Sequence, residues 1–256
     1  MKLPGEHLAA SATLLLIFLP VLHGVPALDI NFENWPDGHA YNFKDDGIET
    51  GNWSGNGMDK DGNHRAYIDE KMPARPGSSK ALRVTYPADA IGPNNTGVQE
   101  PLILPGATEY YLSYFVRFDP GFPWGTSAPH GGKLPGLASR GLCSGGVQDC
   151  SGRGFTARYM WNHNPDGRVT LYLYHLDKPG QYGDHKSVGF VFQPGEWHHV
   201  IQRVKQNNGN SFDGIVETWI DGKLVQSESN LRFDGADIDR FYFSTFVGGG
   251  SSTYEL

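Results

Sequence analysis

From Ala66 to Phe246 no stretch of the chain sustains a helical period. Short runs rich in Val, Ile, Tyr, Phe and Trp alternate instead with Gly- and Pro-bearing punctuation. With 34 Gly and 17 Pro in 256 residues, breaks recur too often for long helices, and strands are the remaining way to bury apolar surface. The runs expected as strands are 28–32, 66–68, 81–86, 109–118, 154–161, 169–175, 188–192, 197–204, 214–220, 223–227 and 239–246. Asp221-Gly222, set between Trp219-Ile220 and Lys223-Leu224, is a hairpin signal, because both central residues of a tight primed turn need positive φ. Pro165-Asp166-Gly167 is a second turn signal. No repeat, linker or low-complexity segment divides these runs. The expectation is one all-β domain of two curved, antiparallel sheets packed face to face.

The segments 195–200 and 216–225 resemble the paired strands of concanavalin-like and laminin-G-like β-jelly rolls, which speaks to fold and not to function. Ahead of the domain, Lys2, an apolar run from Leu8 to Leu22 and the small residues around Val25-Pro26-Ala27 read as a secretory leader. Residues 1–27 are thus expected to be removed and residues 28–256 to form the jelly-roll domain of a secreted, extracellular protein. The apolar run is interrupted by Pro20 and His23 and has no second span after it, so no membrane association is expected.

Cys143 and Cys150 are the only cysteines. Two are too few for a structural zinc site, and in an oxidising compartment they are expected to close a short loop as a disulfide. Asn52 and Asn94 begin glycosylation sequons. Asp59-Lys60-Asp61-Gly62-Asn63 resembles part of a calcium loop but lacks the closing acidic residue, so it reads as a hairpin turn. A calcium there would be structural; no cofactor is required and no catalytic metal is expected.

The formal net charge of −7 argues against nucleic acid as a partner. Residues 131–178 nevertheless hold six cations against three anions, a local +3 that leaves −10 elsewhere. Such a patch suits an anionic ligand at one place. Within it, strand alternation sends Thr156, Arg158 and Met160 to one face and Phe155, Ala157, Tyr159 and Trp161 to the other, while Tyr172 and Tyr174 share a face. A guanidinium beside paired phenols can handle a carboxylate and a proton.

The ordered set Gly-Gly-Lys133-Leu-Pro-Gly-Leu, the Cys-Ser-Gly-Gly loop, Phe-Thr-Ala-Arg158-Tyr-Met-Trp and Tyr172-Leu-Tyr174 resembles polysaccharide lyase family 14, the alginate and glucuronate lyases. More distantly it resembles the glucuronan lyases of family 20. The likeness runs from about Asp29 to the end of the chain. It implies a jelly roll that binds an acidic polysaccharide on one sheet and cleaves it by β-elimination, expected here as a monomer. Carried over by position, Lys133, Arg158, Tyr172 and Tyr174 are the catalytic candidates. Thr156, which stands where a serine is common in the family, His64 and Gln99 are placed in the same cleft as substrate-binding residues. Relatives usually continue through one more strand after the equivalent of Phe246, so the resemblance implies a domain lacking its last strand.

β-Elimination explains these residue types. Removing the proton on carbon five of a uronate creates negative charge beside a carboxylate, which Arg158, Lys133 or Gln99 can offset. One tyrosine can then act as base and as acid, provided it starts ionised. The competing accounts are structural: an ion pair for Arg158, a solvated loop cation for Lys133, sheet packing for the tyrosines, and ordinary structural roles for His64 and Gln99. His198 and His199 read as structural, one buried and one exposed. A non-catalytic carbohydrate-binding jelly roll stacking sugars on Tyr172, Tyr174 and Trp161 is the alternative function. A retaining glucanase would need closely spaced carboxylates, and no Glu-x-Asp-x-x-Glu run exists.

Overall fold

The computed structural model describes residues 8–13 and 163 as backbone, and residues 27–51, 56–58, 64–72, 77–88, 90–124, 131–162 and 166–248 with side chains. The strands build two antiparallel sheets. One runs in the order β12 (Lys223–Leu231), β11 (Gly214–Ile220), β10 (Trp197–Lys205), β5 (Glu109–Phe118), β1 (Leu8–Thr13), β3 (Ala81–Tyr86), β2 (Ala66–Asp69). The other runs β4 (Val98–Ala107), β13 (Ile238–Thr245), β6 (Gly131–Ser139), β7 (Thr156–His163), β8 (Asp166–Tyr174), β9 (Asp184–Val191). Asp221 and Gly222 both have positive φ, 52° and 78°, and turn β11 into β12 as the Asp-Gly pair requires.

Period-two alternation builds the core. In β10, Val200 and Val204 point inward, and in β5 Leu112, Tyr114 and Val116 do the same. They meet Leu137, Ala157, Tyr159, Leu171, Leu173, Phe241 and Phe243 of the six-stranded sheet. Trp161 is 1% exposed in this core, so it cannot serve as the outer stacking platform that a carbohydrate-binding module would need.

Three parts of the chain depart from expectation. Residues 28–32 form no strand: Phe32 adopts φ 58°, which ends any extended run, yet Ile30 and Phe32 are buried in the core. Strands β4 and β6 are not among the expected runs, and both carry proline: Pro101 and Pro105 in β4, Pro135 in β6. Strand β4 tolerates proline because it lies at a sheet edge, whereas Pro135 sits where the β6 register shifts between Leu134 and Gly136. Six residues of the expected leader form β1, between β3 and β5. Removal of the leader and occupancy of that place by β1 exclude one another in a single molecule.

The β6 irregularity is supported from the opposite sheet. Gln202 of β10 crosses the core, accepting from Leu137 N and donating to Ala157 O, each at 2.9 Å. Gln202→Leu would leave both backbone groups buried without these partners. At about 1–3 kcal/mol for each unsatisfied group, and about 2–4 °C for each kcal/mol in a domain of this size, the melting temperature should fall by roughly 4–24 °C. Thermal melting checks this; an unchanged melting temperature would refute the bridging role.

Candidate active site

Sheet register assembles the site on the face of the six-stranded sheet turned away from the core. Cross-strand pairing aligns Tyr242, Gly136, Arg158, Tyr172 and His185 in one row. The neighbouring row aligns Lys133, Met160 and Thr170. Lys133 and Gly136 are three residues apart, a spacing that would put them on opposite faces of a regular strand; the register shift between them returns both to the same face. Gly136 is obligatory in that row, since a Cβ there would lie 1.8 Å from the Ala157 carbonyl oxygen.

Two cations lie within this surface, Lys133 at 8% and Arg158 at 3% exposure. The Lys133 ammonium stands 3.7 Å over the Tyr172 ring and points at Met160 Sδ at 3.0 Å. The Arg158 guanidinium lies 4.7 Å from the Tyr242 ring and 5.9 Å from that of Tyr172, and donates to Ser244 Oγ at 3.1 Å. Its Nε is buried without a partner. Among the described residues neither cation is within ion-pair distance of a carboxylate. Burial, with the charge of Arg158 beside it, holds the Lys133 ammonium well below the ordinary lysine value. The structural accounts of these residues, an ion pair for Arg158 and a solvated loop cation for Lys133, do not match this placement.

The phenols form a connected set. Tyr172 and Tyr174 hydroxyls are 3.1 Å apart, and Tyr174 accepts a hydrogen bond from Gly146 N at 2.9 Å. Tyr242 donates to Gln99 Oε1 at 2.7 Å, so Gln99 joins the cluster through that ring. Burial pushes Tyr242 up to about 12, against the opposing pull of Arg158 and Ser144. His185 packs 4.7 Å from the Tyr172 ring, and burial followed by the Lys133 charge brings it down to about 4.

Other expected residues have different surroundings. Thr156 is buried and its hydroxyl donates to the Cys143 carbonyl at 2.8 Å, holding the disulfide loop. His64 shares its Nε2 with the Tyr41 carbonyl at 3.0 Å and sets its ring edge-on to Tyr67; neither contact reaches Lys133, Arg158 or Tyr172. His198 is buried against Asp221, and His199 is partly exposed and bonded to Ser113. Asn94 is exposed, while Asn52, the stretch 59–63, the His163 side chain and residues 251–256 lie outside what is described. Among the described residues no three His, Cys, Asp or Glu side chains converge as a metal site would require, and no helix is long and apolar enough to cross a membrane.

Cys143 and Cys150 are bonded, and they pack in one cluster with Met160, Tyr172 and Tyr174. So short a loop gains about 2.5 kcal/mol from the cross-link in the chain-entropy account. Tyr242, Ser244, His185 and the Gly146 amide were not expected at the site. Only strand register and loop path bring them there, although the Phe241-Tyr242-Phe243 alternation could have placed Tyr242 on the outer face.

Known proteins share the fold and part of the sequence. The alginate lyase Aly36B superposes with a TM-score of 0.68 at 29% identity, covering 87% of each chain. A mutant of that enzyme in complex with an alginate trisaccharide matches at 30% identity and TM-score 0.68 over 88% of this chain and 89% of the other. The marine PL-14 alginate lyase from Aplysia kurodai matches with a TM-score of 0.61 at 25% identity, over 75% of this chain and 82% of that one. An endo-β-1,4-glucuronan lyase from the fungus Trichoderma reesei, at 15% identity and TM-score 0.50 over 82% of each chain, shares the fold. No curated protein matches the sequence. The family model for polysaccharide lyase 14 matches residues 74–256, and the chain is a member of that family and a polysaccharide lyase.

Proposed function

We propose that this lyase cleaves an alginate-type chain of uronates by β-elimination. The observation that carries the reading is Arg158, 3% exposed, with its Nε unpartnered and no carboxylate within ion-pair distance among the described residues. An uncompensated buried charge costs several kcal/mol, and an anionic substrate offsets that cost on binding. Uronate carboxylates supply the anion, and alginate is what the neighbours Aly36B and the Aplysia kurodai enzyme act on.

The roles divide by protonation state. Lys133 is held toward its neutral form, and a neutral amine can take the proton from carbon five. This differs from a single ionised tyrosine doing both steps, because burial already prepares the lysine as the base. Arg158, with its unspent Nε, offsets the charge growing beside the substrate carboxylate, and Gln99, whose Oε1 accepts from Tyr242, can add its amide as a donor. Tyr172 gives its proton to the glycosidic oxygen as the bond to carbon four breaks. The electrons of the carbon–hydrogen bond become the new double bond, and the electrons of the carbon–oxygen bond leave with that oxygen.

Arg158→Met should lower kcat/KM by about a hundredfold, the order expected for one lost electrostatic donor. Steady-state kinetics on an alginate-type polymer would measure it, and an unchanged kcat/KM would remove Arg158 from the mechanism. Secretion is proposed from the N-terminal sequence alone. Sequencing protein recovered from the medium should read a start near Leu28, and a retained Leu8–Thr13 would rule out processing there.

A further inference from the structure

The loop closed by Cys143 and Cys150 touches the phenol cluster at several points. Its Gly146 N donates to Tyr174 at 2.9 Å, and its Ser144 hydroxyl acts on Tyr242. Its Cys143 carbonyl is held by Thr156, and its Gln148 carbonyl is held by the Lys178 ammonium at 2.7 Å. Lys178 also binds the Gly180 and Gln181 carbonyls, tying the β8–β9 loop to the disulfide loop. That second loop then returns over the phenols at Gly183, where a Cβ would come within 2.8 Å of both the Tyr172 and Tyr174 rings. The two loops thus form one wall against the tyrosine pair, cross-linked at one end and pinned by an ammonium at the other.

We propose that the disulfide loop is a positioning element of the catalytic site, acting on Tyr172 through Tyr174. A phenol oxygen both accepts and donates. With the Gly146 amide already donating to it, Tyr174 has its own proton to give, and in the proposed relay it goes to the Tyr172 oxygen 3.1 Å away, a pair in which either hydroxyl can donate. The direction Gly146 N–H to Tyr174 O–H to Tyr172 O sets a donor on the Tyr172 oxygen, the atom that gives its proton to the departing glycosidic oxygen. It also stabilises the Tyr172 phenolate once that proton has gone. The amide is a fixed donor because the loop around it is closed by the cross-link, whereas an open loop would let Gly146 turn away. Gly146 and Cys143–Cys150 act only through the tyrosines and touch no reacting atom. This inference rests on the lyase reading, with Tyr172 as the acid.

The test is a double-mutant cycle between the loop and Tyr174. Cys143→Ala/Cys150→Ala, and separately Lys178→Met, are each made in the wild-type and Tyr174→Phe backgrounds, and kcat, KM and the pH profile are measured with melting curves as a folding check. In the wild-type background each loop variant should lower kcat by roughly 10- to 100-fold, the order of one hydrogen bond to a group carrying charge, with KM little changed. In the Tyr174→Phe background the same changes should have little further effect, since the connection is already cut. Equal losses in both backgrounds would show a purely structural effect and overturn the proposal, as would full activity in the wild-type background. The Lys178→Met pair decides the matter if the cysteine variant does not fold. Tyrosine ultraviolet difference titration of the free protein gives a readout independent of turnover. Breaking the loop should raise a phenol ionisation further in the wild-type background than in Tyr174→Phe, where only the Ser144–Tyr242 contact is left to lose, and equal movement, or none, in both overturns the proposal. Inactivity of the wild type on every uronate polymer would instead overturn the lyase reading, and the titration would still decide the role of the loop.

Discussion

Lys133→Met is expected to reduce kcat between about a hundredfold and ten-thousandfold, the range for loss of a general base, while leaving the protein as stable or more so. The two effects have one origin. Lys133 is 8% exposed, stands over the Tyr172 ring and faces the Arg158 charge, so its protonated form is disfavoured in the folded state. The unfolded chain holds that proton to higher pH. The unfolded state therefore binds more protons between the depressed folded value and the ordinary lysine value, and stability contributed by this group rises with pH across that window. At neutral pH the lysine is a liability to folding, which methionine, of similar shape and without charge, removes. The same depression sets the acidic limb of catalysis: kcat/KM falls as pH drops through the lowered Lys133 value and the amine takes up its proton before substrate arrives. Kinetics and melting across pH check both. A limb at the ordinary lysine value of about 10.4, or a less stable Lys133→Met protein, would contradict the assignment.

Tyr172→Phe should also lower kcat by about a hundredfold to ten-thousandfold, with KM nearly unchanged. Phenylalanine keeps the ring beneath Lys133 and beside His185, so the packing that buries the site survives. What is lost is the proton for the leaving oxygen and the partner of the Tyr174 hydroxyl. A substrate with a leaving group that departs readily without protonation should recover much of the rate in this variant and none in Lys133→Met. Equal recovery in both would mean that the acid and base roles are not separated as proposed.

The strands that alternate cleanly, such as Trp197–Lys205 and Gly214–Ile220, were legible because each has one buried face and polar residues between. Strands β4 and β6 were not, because Pro101 and Pro105 sit on an edge and Pro135 in a register shift, where the missing amide costs little. Residues 28–32 misled in the opposite way: their apolar pattern reflects burial against the core, and Phe32 with its positive φ cannot continue a strand. At the site, Arg158, Tyr172 and Tyr174 could be placed on one surface from local alternation, and Lys133 through the family resemblance. The partners Tyr242 and Ser244 come from a strand some eighty residues downstream in sequence, and only its non-local pairing with β6 and β4 brings them to Arg158 and Gln99. The neutral tendency of Lys133 was likewise invisible in sequence, because it arises from burial and from a neighbour brought close by register.

The central claim is elimination of a uronate polymer at this site. It is tested most directly by incubating the protein with a panel of uronate polymers, alginate-type and glucuronan-type, while following new reducing ends and ultraviolet absorbance together. The account predicts that both rise in equal amount on an alginate-type polymer, since every break by β-elimination leaves one conjugated unsaturated uronate. Reducing ends appearing without that absorbance would show hydrolysis, and tight binding with neither signal would show a binding module; either would contradict it.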